Sequence, residues 1–285
     1  MAKKPAATTD LRQLLRLPPG GTVDLAAHDP GAAPGAPGGK HASLADAERM
    51  GDELAGLQER LWAAGTAGDR RRVLLVLQGM DTSGKGGTVK HVIGHLNPSG
   101  CRIRAFKAPT AEELRHDFLW RVRQALPQPG EIGIFDRSHY EDVLVARVRH
   151  LVPPAEIGSR YGLINDFERA LAEDGVTVVK CFLHLSYAEQ RRRLLRRLDR
   201  PDKRWKFAPS DIDERALWPA YQEAYELALG HCAAAPWYVV PADHKWYRNW
   251  AVGRLLLEHL RELDPRYPRS PHDLAECRER LLTET

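Results

Sequence analysis

The sequence predicts an α/β fold, a parallel sheet covered by helices on both faces. Three observations carry this. Short apolar runs alternate with helix-length segments from Val73 to Leu263, as expected of strands buried on both sides. The run 73–77 leads directly into Gly79-Met80-Asp81-Thr82-Ser83-Gly84-Lys85, a strand–glycine loop–helix order that holds phosphate chains. The length of 285 residues suits one large domain with appendages.

The elements follow in order. Residues 1–43 form an N-terminal arm, partly flexible, because the stretch from His28 to Lys40 is rich in Pro, Gly and Ala and cannot build a core alone. Leu44, Met50, Leu54, Leu57 and Leu61 recur at the spacing of an amphipathic helix. Strands are expected over 73–77, 102–106, 132–135, 176–183 and 237–240. Helices are expected over 85–96, 111–126, near 140–151 and 160–174, then over 187–199, 212–232 and 245–263. The main domain spans 44–270, with a lid at about 187–210 and a tail at 271–285. Ligands of such sheets bind beyond the carboxyl ends of the strands, where the glycine loop sits.

Bulk properties exclude other classes. No apolar run reaches membrane-spanning length, and Lys3 and Lys4 are not followed by the apolar stretch of a signal peptide. Cys101, Cys181, Cys232 and Cys277 lack metal-site spacing and read as free thiols of a cytoplasmic protein. The net charge of +4 is modest, so the placement of positive charge matters more than its sum.

In the glycine loop, N–H groups and the positive end of the next helix face the anion. Gly79, Ser83, Gly84, Gly86, Gly87 and Thr88 are phosphate- or nucleotide-binding candidates, and Lys85 reaches the transferring phosphates. Gly86 stands where such loops usually place a magnesium-binding Ser or Thr. The metal ligand must then come from elsewhere, and Asp81 is the nearest carboxylate. The strand over 132–135 ends in Asp136-Arg137-Ser138-His139-Tyr140-Glu141. Asp136 reads as a Mg²⁺ ligand or as a helix N-cap, and the phosphate loop favours the first. Arg137 can neutralise phosphate charge or pair with Asp136 or Glu141. Glu141 and Asp142 stay open between nucleotide, second metal and plain first-turn carboxylates. His139 reads as structural or surface.

Between Glu189 and Phe207 nine Lys or Arg residues face three acidic ones. Leu194, Leu195 and Leu198 define the expected buried stripe of this helix. Arg191 falls on that stripe and is expected to enter the protein, where it meets a buried carboxylate or reaches the site, the second being favoured. Arg192, Arg193, Arg196, Arg197 and Arg200 fall on the opposite side. Lys203, Arg204 and Lys206 lie in a Pro-bounded loop suited to a lid over phosphates. So much positive charge exceeds one nucleotide's need and suits a polyanion. No nucleic-acid motif accompanies it. The aromatic cluster from Trp246 to Trp250 reads as packing or interface.

Together these segments resemble the polyphosphate kinase 2 family. The resemblance runs from about Leu44 to Pro268 and includes the glycine loop, Asn97-Pro98-Ser99-Gly100, the Phe135–Asp142 segment, the lid with Lys203-Arg204-Trp205-Lys206, and Pro236-Trp237-Tyr238-Val239-Val240-Pro241-Ala242-Asp243-His244-Lys245. It implies a thymidylate-kinase-like P-loop kinase fold with a basic helical lid. It also implies dependence on Mg²⁺, with Mn²⁺ able to replace it, and phosphoryl transfer between inorganic polyphosphate and AMP, ADP or ATP, with guanine nucleotides also admissible. By the same resemblance Asp81, Lys85, Asp136 and Arg137 are catalytic, Asp81 and Asp136 hold metal, and Arg191, Lys203, Arg204 and Lys206 serve polyphosphate; Glu141 is a candidate for the nucleotide, with metal left open. Ser138-His139-Tyr140-Glu141 is similar to the subgroup acting on both AMP and ADP. A homo-oligomer, dimer or tetramer, is implied; nucleic acid and membrane are not. The rivals are an ATP-dependent nucleoside monophosphate kinase and a non-catalytic RNA- or polyanion-binding module.

Overall fold

Five strands form one parallel sheet in the order β2-β3-β1-β4-β5: β1 (Arg72–Gln78), β2 (Cys101–Ala105), β3 (Ile132–Asp136), β4 (Val176–His184) and β5 (Trp237–Pro241). A computed structural model describes residues 10–284; Lys3 and Lys4 lie outside them. The order reverses beside β1, whose carboxyl end carries the glycine loop, so the loop opens at the switch point of the sheet. Register places Leu77 beside Asp136, which brings the two sequence motifs to the same sheet edge.

Alternate strand residues feed two apolar layers. Leu74, Val76, Phe135, Val178 and Phe182 face α5 (Glu141–Val148), α6 (Pro154–Glu173) and α9 (Trp218–His231). Val73, Leu75, Leu77, Ile134 and Val179 face α2 (Lys40–Thr66), α3 (Lys85–Val92) and α10 (Lys245–Leu263). Met50, Leu54, Leu57 and Leu61 of α2 are buried as their spacing requires, and Leu44 stays exposed. Gln58 donates to Asn97 O and accepts from Asn97 N, both at 3.1 Å. Asn97 Oδ1 in turn accepts from Ser99 N, so the Asn97–Gly100 motif anchors the entry to β2.

Two expected helices are corrected. In place of one helix over 111–126 there is a 3-10 turn at Glu113–Arg115 and the short α4 (Trp120–Arg123). Asp117 accepts from Leu119 N at 3.0 Å, a capping geometry that starts a new turn and ends the old one. In place of one helix over 212–232, α8 (Ser210–Ala216) and α9 are separated at Leu217. Pro219 cannot donate to Arg215 O, and its ring crowds that carbonyl.

The described part of the arm lies against the main domain. α1 (Leu11–Leu15) sits on α10, where Glu258 accepts from Leu11 N and Arg12 N. Leu17 N donates to Trp237 O, and Arg16 bridges Tyr238 in antiparallel sense. Leu11 and Leu15 join one apolar layer, Leu17 and Leu25 the other. The arm therefore straps both layers across the outer edge of β5 and covers backbone that would otherwise be an open sheet edge. The Pro/Gly-rich stretch has no core of its own. It is held where Pro30 O accepts from Asp243 N, Pro34 O from Tyr247 OH, and His28 O meets His184 Nε2. α11 (Leu274–Thr283) is exposed along its whole length. Among the described residues no helix is long and apolar enough to cross a membrane.

Candidate active site

The site is built where β1 and β3 end. Gly79 has φ 151°, and a Cβ there would fall 2.7 Å from Leu183 O, so only glycine lets the loop pass β4. Gly84 begins α3 at φ 102°, again outside the range of ordinary side chains. Thr82 and Arg137 are the other left-handed residues here, at φ 63° and 65°. Such strain in non-glycine residues gathers at functional sites. The first N–H groups of α3 have no intrahelical acceptor, and the Thr82 and Ser83 hydroxyls are buried without partners. Thr88 is fully buried with its hydroxyl on Gly84 O, so it supports the loop from beneath.

Lys85 Nζ donates to Gly79 O at 2.8 Å and Met80 O at 3.4 Å. Burial and the Arg137 charge push its ammonium down, while Asp136, Glu141 and Asp81 pull it back. Asp136 ends β3, and a Cβ on Gly86 would lie 3.8 Å from its Oδ2; the absent side chain leaves room between α3 and this carboxylate. Arg137 is half-exposed and lies 3.7 Å from Glu141 Oε2. Burial raises the Glu141 carboxyl against Arg137 and Lys85. Gln78, with its amide oriented to suit both neighbours, donates to Glu141 and accepts from Ser138. The structure thus separates the two adjacent carboxylates. Glu141 faces the site, whereas Asp142 is committed to Arg121 at 3.0 Å. His139 is buried, between Tyr140 and Phe167, and belongs to the interior.

The basic helix α7 (Tyr187–Asp199) corrects the expected stripe. Arg191 is exposed and does not enter the protein; Leu195 and Leu198 are exposed too. The buried face is Glu189, Gln190, Arg193 and Leu194, because it meets the polar back of the glycine loop. Its carbonyls need donors, and leucine has none. Gln190 donates to Asp81 O. Arg193 donates to Thr82 O and Ser83 O at 2.9 and 3.0 Å, to Ala242 O and Asp243 O, and pairs with Glu189. Arg197, placed by the sequence on the outer side, touches Asp81 Oδ2 at 3.4 Å, Asp211 Oδ2 at 3.3 Å and Lys206 O at 3.3 Å. It joins loop, lid and α8 at one guanidinium. Lys203, Arg204 and Lys206 stand in the exposed turn Arg204–Lys206 and beside it, with Lys206 over the Trp205 ring. From α10, Arg248 reaches Ser83 O at 2.9 Å. Arg193, Arg197 and Arg248 were legible as charges only; no pattern in the sequence marks the polar face of α7 that the glycine loop buries. A cavity of about 500 Å³ lined by Val176, Pro236 and His259 lies at the opposite end of the sheet, away from this chemistry.

The model of the family Polyphosphate kinase 2 matches residues 40–268. The chain belongs to the polyphosphate kinase 2 family. Within it, the chain is 49% identical over 255 residues to the AMP/ADP-polyphosphate phosphotransferase of Meiothermus ruber, covering 89% of this chain and 94% of that one. It is 41% identical over 249 residues to the ADP-polyphosphate phosphotransferase of Rhodopseudomonas palustris, with 81% and 85% covered. The crystal structure of polyphosphate kinase 2 from Arthrobacter aurescens TC1 superposes with a TM-score of 0.94 at 45% identity, over 97% of this chain and 98% of that one. The P-loop kinase-like α/β fold expected from the sequence is therefore the observed one.

Proposed function

We propose that this polyphosphate kinase 2 family member moves the terminal phosphoryl group of inorganic polyphosphate to AMP and to ADP, reversibly. The observation that carries the polymeric donor is the basic helix α7 seated on the phosphate loop, with Arg197 touching both Asp81 and the lid backbone. The name of the relative from Meiothermus ruber supports both acceptors.

In each transfer a nucleotide phosphate oxygen forms a bond to the terminal phosphorus. The donor's P–O–P bond breaks, and the electron pair leaves on the shortened chain. That oxygen is already ionised near neutral pH, since the second phosphate pKa is about 6, so no side chain need act as a base. The loop N–H groups and Lys85 hold the phosphates at the reaction centre. Arg137 and Arg197 offset charge on the migrating group, and Glu141 orients the nucleotide. Positioning and electrostatics supply the rate.

Asp81 and Asp136 suit Mg²⁺. Among the described residues no cluster of three His, Cys, Asp or Glu offers a complete protein cage, and Mg²⁺ prefers one or two carboxylates with water and phosphate oxygens. Gly86 leaves space beside Asp136 for it. When bound, the ion neutralises phosphate charge. Cytosolic location, in keeping with four free thiols, and a dimer or tetramer belong to the same reading.

The test supplies long-chain polyphosphate and Mg²⁺ with AMP or ADP as acceptor, beside an ATP-donor control. ADP from AMP and ATP from ADP are expected. Transfer from ATP to a nucleoside monophosphate, with none from polyphosphate, overturns the reading.

A further inference from the structure

Arg248 stands in the first turn of α10 and is only 3% exposed. Its Nη1 donates to Ser83 O at 2.9 Å, and Nη2 and Nε donate to Asn249 Oδ1. Among the described residues it makes no ion pair. Burial and the neighbouring Arg193 push its guanidinium down to about 9, still cationic at neutral pH. A buried cation without a carboxylate is destabilising unless another anion compensates it.

The glycine loop is shaped around this group. A Cβ on Gly84 would fall 1.8 Å from Arg248 Nη1, and one on Gly87 would fall 3.1 Å from Nη2. A trans peptide points its C=O and N–H in opposite directions. A guanidinium that holds Ser83 O therefore turns the Gly84 N–H to the other face of the loop, where α3 begins.

We propose that Arg248 is a positioning residue whose counter-charge is the phosphate chain bound on the far side of the loop. Arg248 does not touch substrate. Together with Arg193 it orients the Ser83–Gly84 peptide, and it adds positive potential behind that peptide. This rests on the phosphate-binding reading of the loop and deepens it.

The experiment compares wild type, Arg248→Met and Arg248→Lys as full-length protein. Thermal unfolding is measured without ligand, tripolyphosphate binding by calorimetry, and kcat and KM with polyphosphate and ADP. Removing the charge leaves Ser83 O still bonded to Arg193. Arg248→Met should therefore keep or raise the unfolding temperature, weaken tripolyphosphate at least about tenfold and raise KM more than it lowers kcat. Arg248→Lys should recover most of the affinity. A lower unfolding temperature for Arg248→Met with unchanged affinity in the folded protein would make Arg248 a structural brace and overturn the proposal. If wild type binds tripolyphosphate yet transfers nothing from polyphosphate, the functional reading fails while the affinity comparison still decides the role of Arg248.

Discussion

Lys85 shows how single residues set this site. Its ammonium is buried against two carbonyls of its own loop, and burial with the Arg137 charge lowers its pKa. A phosphate above the loop offers a stronger partner than either carbonyl. Lys85→Ala should lower kcat by about 10²–10³-fold with circular dichroism unchanged. A folded variant turning over near the wild-type rate would remove Lys85 from the machinery. Sequence reading named Asp81, Lys85, Asp136, Arg137 and Glu141 as candidates, and the structure gathers them beyond the ends of β1 and β3. It could not separate Glu141 from Asp142, since adjacent helical residues diverge by about 100° and only the neighbouring Arg121 shows which one is taken.

Among the elements, α7 was the least legible. Hydrophobic periodicity assumes that a helix buries leucine, but this helix lies on a loop of carbonyl oxygens. Arg193 is inside and Arg191 outside for that reason. The break at Leu217, by contrast, was written in Pro219. The lid turn is tied to the loop through Arg197, whose guanidinium meets Asp81 and Lys206 O together. Neutralising Lys203, Arg204 and Lys206 together should raise KM for long polyphosphate more than for tripolyphosphate, because only a long chain spans loop and lid. Equal loss at every chain length, measured with size-fractionated donors, would argue against a lid that tracks the polymer.

At the scale of the whole molecule, a buried ion pair ties the apolar layer to the sheet. Lys180 of β4 donates to Glu168 of α6 at 2.7 Å, to Tyr140 OH and to Cys232 O, with both side chains fully buried. Burial pushes the Glu168 carboxyl up, but Lys180 and His139 outweigh it and hold it at about 2. A carboxyl held below its ordinary value of 4.5 contributes stability above that value, and the contribution is lost as pH falls toward about 2. Lys180→Met should cost about 3–5 kcal/mol in chemical denaturation, by leaving Glu168 buried and unpaired. Adding Glu168→Leu should recover most of it and flatten the acid limb of the stability profile. A single Lys180→Met as stable as wild type would show that the pair is not the linkage it looks to be.

The sequence by itself determined the parallel sheet, the glycine loop at the end of its first strand, the acidic motif at the end of the third, and the family. Each is encoded locally, in periodicity or in the spacing of a few residues along one segment. Only the tertiary structure decided which face of α7 is buried, that Arg197 links Asp81 to the lid, that Arg248 sits behind Ser83, and that the arm crosses the edge of β5. Each of those depends on what a distant segment presents at the contact. A helix buries whatever its neighbour can satisfy, and here the neighbour is a bare row of backbone carbonyls.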